Sequence, residues 1–128
     1  APGMPSGRTQ SLVELVDIFP TLTDLTNIET PASVQGKSLV PLLKNPASSV
    51  RESALSIYNK GQATNSGHAI RTPKWSFMRY KDGAEEMYDM EHDPLQFTNL
   101  ADKSEFKTTK KSLTTQLQQR LSDAQINK

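Results

Sequence analysis

Between residues 54 and 90 the chain is cut into short β-type stretches by closely spaced turn signals, and this punctuation limits the fold more than any other feature. Residues 54–59 alternate, with Leu55 and Ile57 on one side and Ser56 and Tyr58 on the other. A polar loop over residues 60–67 leads to further stretches at 68–72, 75–81 and 87–90. Pro73-Lys74 marks a tight corner. Asp82-Gly83 marks a hairpin, because a primed turn needs the positive φ that Gly and Asp tolerate best. Short strands joined by short turns give an antiparallel sheet.

Helical patterns flank this region. Leu15, Phe19, Leu22 and Leu25 follow one helical face, and Pro20 is harmless there if Asp17 is the N-cap, since first-turn N–H groups lack intrahelical partners. The helix is expected from about Ile18 to Thr26, with Asn27 as a left-handed cap. Ser38, Pro41 and Asn45-Pro46 start and stop a second short helix. Asp93-Pro94-Leu95-Gln96 reads as a cap, a Pro at the first helical position and a capping-box partner, and Asp102 with Glu105 repeats the box. Leu113, Leu117, Leu121 and Ala124 form the single apolar stripe of a final helix, so one narrow face packs on the sheet. The expected fold is α+β: a small antiparallel sheet of about four strands packed by a C-terminal helix, with one or two N-terminal helices.

A chain of 128 residues with 34% hydrophobic and 6% aromatic side chains supports one modest core, or rests against a neighbour. Its 15 basic and 14 acidic residues are evenly spread, which argues against a nucleic-acid partner or a polybasic membrane surface. No apolar stretch approaches a membrane span, and the absence of cysteine leaves no disulfide frame or thiolate site.

Motifs that carry chemistry fail on inspection. Gly36-Lys37-Ser38 resembles the end of a P-loop, but Pro31 stands where the earlier Gly is needed, so Ser38 reads as a helix cap. Asp89, Glu91 and Asp93 alternate as in a calcium loop, but Pro94 and Leu100 replace its Gly and Glu, so no metal site is assigned. His92 sits in a charged turn and reads as solvated. His68 opens a strand beside the long polar loop and is retained as a candidate ligand contact. No serine lies in a nucleophile elbow. No catalytic residue is assigned.

The run Met-Tyr-Asp-Met-Glu-His-Asp-Pro-Leu-Gln-Phe-Thr-Asn-Leu, residues 87–100, resembles the LYDL-x-x-DP-x-E-x-x-NL signature near the C-terminus of sulfatases. Three further blocks resemble that family in the same order. They are residues 15–22, the segment Gln35-Gly36-Lys37-Ser38-Leu39-Val40-Pro41-Leu42-Leu43, and Ala69-Ile70-Arg71-Thr72 with Trp75 and Tyr80. Residues 41–46, Val50-Arg51 and the spacing from Ser56 to Arg71 are most similar to iduronate-2-sulfatase-type enzymes.

The resemblance implies that residues 1–50 are the tail of a sulfatase catalytic domain and residues 51–128 its C-terminal subdomain. It implies a calcium ion and a formylglycine, made from a C/S-x-P-S-x-R motif, in the parent enzyme. Neither is expected here, since Pro5-Ser6-Gly7-Arg8 has Gly3 at the nucleophile position. The implied partners are the missing N-terminal catalytic domain and a sulfated sugar such as a glycosaminoglycan or other polysaccharide, and the implied location is extracytoplasmic. The fragment would form one wall of the substrate pocket and be inactive alone. Lys60, Asn65 and His68 are its substrate-binding candidates, with Lys60 placed to pair with a carboxylate or sulfate. Arg71 and Asp89 read as structural. The apolar helix near residues 12–28, if exposed, would give a dimer of the fragment. The alternative from another functional class is a free-standing glycan-binding or scaffold module.

Overall fold

The computed structural model describes residues 3–4, 6–58 and 66–124. The chain divides into two compact units, Ala1–Ala54 and Leu55–Lys128.

The first unit holds a 3-10 turn at Leu15–Asp17, helix α1 (Ile18–Leu25) and helix α2 (Val40–Lys44). Asn27 takes the left-handed conformation expected of it, with φ of 53°. Asp17 does not cap α1. Its backbone is already helical, and its side chain makes no cap bond to that helix. The carboxylate is instead fully buried. It accepts the N–H of Glu14 at 2.8 Å on one oxygen, and on the other the N–H of Lys37 at 2.8 Å and the Arg51 guanidinium. Arg51 also pairs with Glu14 at 2.5 Å. Short polar side chains compete well for backbone donors, and here one oxygen takes a local donor and the other a donor twenty residues away, instead of the N–H groups that open α1. Gly36 makes this reach possible, because a Cβ there would collide with the Val16 carbonyl. The cap position of α2 falls on Leu39 rather than Ser38. The Ser38 hydroxyl donates to Asp24 and accepts the Val40 N–H at 3.2 Å.

Helix α1 is inverted relative to its apolar pattern. Thr21 and Thr23 are buried, while Phe19 and Leu22 are 51% and 56% exposed. The threonine hydroxyls hold the helix inward: Thr21 donates to the Asp17 carbonyl at 2.5 Å and accepts the Leu39 N–H at 2.8 Å. The face of Leu15, Phe19, Leu22 and Leu25 therefore points outward, contrary to the usual fate of such a stripe.

The second unit is a four-stranded sheet in the order β1 (Ala54–Tyr58), β2 (Gly67–Arg71), β3 (Trp75–Tyr80), β4 (Glu85–Asp89), with a C-terminal helix α3 (Lys107–Asp123). It is the expected antiparallel sheet with a C-terminal helix. Ile70 faces Phe77, and Phe77 faces Met87. This row is fully buried and packs with Leu113 and Leu117 of α3, and with Ala101. Leu55, Trp75, Leu100, Phe106 and Leu121 close the core's edge. The Trp75 and Phe106 rings meet edge-on at 5.8 Å.

Three local expectations fail. At Asp82-Gly83 only Gly83 has positive φ, 91°, and its N–H donates to the Tyr80 carbonyl. The turn is thus a three-residue form with one left-handed Gly, not a primed pair. Asp93 starts no helix: its two oxygens accept the N–H groups of Phe97 and Thr98, and Gln96 turns left-handed at φ 59°. Asp102 caps nothing, because a 3-10 turn at Ser104–Phe106, entered from Lys103, leads into α3. Asn99 covers the free edge of β4. Its Oδ1 accepts the Met87 and Ala101 N–H groups, and its Nδ2 donates to the Glu85 carbonyl. This meets backbone groups that an open edge strand would leave free.

Candidate functional site

Strand alternation sorts the sheet's residues into two faces. Ile70, Phe77 and Met87 face α3. Gly67, Ala69, Met78, Tyr80, Glu86 and Tyr88 lie on the opposite face, joined by Ser56 and Tyr58 of β1.

On that opposite face a cleft of about 460 Å³ is lined by Ser56, Tyr58, Gly67, Ala69, Met78 and Tyr80, with Ile57 and His68 at its margin. Its floor is set by a cross-strand pair, Gly67 and Tyr80. A Cβ at Gly67 would lie 2.8 Å from the Arg79 carbonyl and 3.1 Å from the Tyr80 ring. Glycine thus lets the ring lie directly over β2. The Tyr80 hydroxyl donates to Glu86 at 3.2 Å, and Tyr88 donates to the other Glu86 oxygen at 2.9 Å. Burial, and then the Glu86 hydrogen bond and charge, push the Tyr88 phenol up to about 12. The same causes raise Tyr80. Both phenols stay protonated donors, so the carboxylate locks the two rings in place. Tyr58 is 53% exposed and lies across β2 from Tyr80, on the other side of the cleft.

Of the three substrate-binding candidates, His68 is half-buried at the start of β2 and borders this cleft, but strand alternation turns its side chain to the α3 face with Ile70. Lys60 and Asn65 lie outside the described residues. Sequence reasoning missed Tyr58, Tyr80 and Gly67 as a group. The available signal was a Gly that opens one strand across from a Tyr that closes the next. Arg71 is also on this face, where burial lowers its guanidinium pKa. The ion pair a structural arginine would make is not among those of the described residues.

Among the described residues, Asp89, Glu91 and His92 bring ligand-type atoms within 4.8 Å of one another. The arrangement fits a turn, not an ion. Asp89 accepts the N–H groups of Glu91 and His92 at 2.9 and 3.2 Å, and its second oxygen faces His92 Nδ1 at 3.1 Å. Desolvation would raise this carboxyl, but the bonds from His92 and the two backbone donors outweigh it and hold the pKa below its ordinary value. The calcium and formylglycine implied for a parent enzyme find no fitting residue set among the described residues.

A family model described as N-sulphoglucosamine sulphohydrolase, C-terminal, matches residues 2–123. Arylsulfatase K of Rattus norvegicus is 33% identical over 127 residues, covering 91% of this chain and 22% of that protein. An arylsulfatase of Clostridium perfringens is 38% identical over 97 residues, covering 75% of this chain and 20% of that protein. A protein solved in complex with its substrate D-glucosamine-2-N,6-O-disulfate superposes with a TM-score of 0.80 at 28% identity, over 87% of this chain and 24% of that one. The chain spans about a fifth of the length of the curated relatives it matches. With the match running through both units and across the sheet, the chain belongs to the sulfatase family, as its C-terminal, N-sulphoglucosamine sulphohydrolase-type region.

Proposed function

We propose that this chain is the C-terminal part of a sulfatase that hydrolyses sulfate esters of sugars, that it forms one wall of the substrate pocket, and that it lacks the catalytic residues. Family membership over residues 2–123 carries this reading. The inverted helix α1 supports it: Ile18, Phe19 and Leu22 are exposed apolar residues that a catalytic domain would cover. In this reading the parent enzyme is extracytoplasmic, and its catalytic domain supplies the formylglycine and calcium. Those groups would supply the nucleophile and the charge stabilisation for sulfate ester hydrolysis, and this region would shape the sugar side of the pocket. The likeness of residues 41–46 and Val50-Arg51 to iduronate-2-sulfatase-type enzymes favours an acidic 2-sulfated sugar, with Lys60 pairing to its carboxylate.

The test is the full-length coding sequence and its product. An upstream C/S-x-P-S-x-R motif is expected, together with sulfate release from sulfated sugars. Lys60→Ala in that enzyme should raise KM for 2-sulfated iduronate with little change in kcat. Absence of the motif would overturn the sulfatase reading, and an unchanged KM would remove Lys60 from the substrate site.

A further inference from the structure

The cleft on the sheet face opposite α3 has an unusual lining for a pocket expected to meet a polyanion. Ser56, Tyr58, Ala69, Met78 and Tyr80 carry no formal charge. Such walls cannot neutralise a sulfate or a carboxylate, because those groups need arginine, lysine or convergent N–H donors. They suit a different ligand surface. A pyranose ring presents C–H groups on its faces and hydroxyls around its rim. It is bound well between flat apolar rings with a few polar groups at the edge. The cleft supplies both elements: the rings of Tyr58 and Tyr80, and the hydroxyls of Ser56 and Tyr58. At about 460 Å³ it accepts one sugar residue. Tyr80 is already immobilised by Glu86 and seated over Gly67, so its ordering adds little entropic cost on binding.

We infer that this cleft, between Tyr58 and Tyr80, is a subsite for an uncharged sugar ring next to the sulfated one. The inference rests on the sulfated-sugar reading above and assigns the chemistry of the second residue.

The experiment compares two substrates on the full-length enzyme: a sulfated disaccharide, which can fill the cleft, and 4-nitrophenyl sulfate, which offers no second sugar. Tyr58→Ala removes an exposed ring, and Ala69→Leu fills the cleft without deleting any group. Each should raise KM for the disaccharide about tenfold, the equivalent of one modest contact. Kinetics on 4-nitrophenyl sulfate should stay at the wild-type level, and Tyr58→Phe should bind the disaccharide like wild type within threefold. An unchanged disaccharide KM in both variants overturns the subsite, as does an equal loss on both substrates. If wild type cleaves 4-nitrophenyl sulfate but no sulfated sugar, the preceding functional reading fails instead. Saturation-transfer NMR with N-acetylglucosamine then decides the cleft: transfer lost in Tyr58→Ala and Ala69→Leu supports it, and no transfer to wild type overturns it.

Discussion

Replacing Asp17 by Asn tests whether a buried charge cluster, rather than apolar packing, organises the first unit. The side chain is fully buried and meets three donors: the Glu14 and Lys37 N–H groups and the Arg51 guanidinium. An ionised carboxylate only accepts, so every contact is satisfied. Asparagine has the same shape but one acceptor. With its oxygen toward Lys37 and Arg51, its NH2 confronts the Glu14 N–H, and the reverse orientation is worse. Removing one partner of a buried ion pair costs roughly 3–5 kcal/mol. The mismatched donors add roughly 1–3 kcal/mol. Arg51 keeps Glu14 at 2.5 Å, which offsets part of this, so the lower end, about 3–4 kcal/mol, is expected. A unit of the size of Ala1–Ala54 holds only about 3–8 kcal/mol at typical stability per residue. The substitution should therefore open most of it. Trp75 is the single tryptophan and belongs to the other unit, so the assay is amide exchange followed by mass spectrometry over Ile18–Leu25. Protection there should fall by about a hundredfold or more. Asp24→Asn, an exposed carboxylate on the same helix, should change it less than tenfold. Protection in Asp17→Asn within threefold of wild type would refute the claim that this cluster holds the unit together.

Two further outcomes follow from the second unit. Glu85 receives Arg79 at 2.6 and 2.8 Å and Lys110 of α3 at 3.0 Å. Burial alone would raise its pKa, but these two cations outweigh burial and lower it. A depressed carboxyl adds stability above its unfolded value that is lost as pH falls through the folded one. Urea midpoints followed by Trp75 fluorescence should therefore drop below about pH 4.5 in wild type, and Glu85→Gln should flatten that drop. A slope unchanged in Glu85→Gln would remove this clamp from the acid response. Leu117→Ala opens a cavity against the buried Ile70–Phe77–Met87 row and should cost about 2–5 kcal/mol by the same measurement. A cost below about 1 kcal/mol would mean that α3 adjusts to fill the space.

What could be read from the sequence depended on how local each signal was. The sheet was legible because its information is local. Alternation over five residues and Gly or Pro at the corners specify strand, partner and order without reference to anything distant. The stripe of Leu113, Leu117 and Leu121 was legible for the same reason. The caps were misread because Asp17, Asp93 and Asp102 satisfy a pattern that several geometries share. An aspartate ahead of a helical pattern bonds equally well to a helix start, a loop N–H or a remote arginine. Which partner wins depends on Lys37 and Arg51 for Asp17, and on a left-handed Gln96 for Asp93. None of these choices is periodic. The cleft was only partly legible. Ser56 and Tyr58 stand in a readable alternation, but the pairing of Gly67 with Tyr80 exists only once the register is set.

The segment from Met87 to Leu100 shows what its family resemblance means physically. Its acids looked at first like metal ligands, and the structure spends them on backbone donors. Asp89 holds the Glu91 and His92 N–H groups, and Asp93 holds those of Phe97 and Thr98. Asn99 then bonds the Met87 N–H and the Glu85 carbonyl along the free edge of β4, and Leu100 packs against the core. Asp89, Asp93 and Asn99 bond backbone groups that a hydrophobic residue in their place could not reach. The run is thus a chain reversal fixed by side-chain-to-backbone bonds, delivering the return segment to the free edge of the sheet and carrying the chain on into α3. Because the same β4 strand carries Glu86, which pins Tyr80 beneath the cleft, a reversal far from any ligand still fixes the floor of the candidate sugar site. A segment can mark a family in this way through the backbone bonds its side chains make.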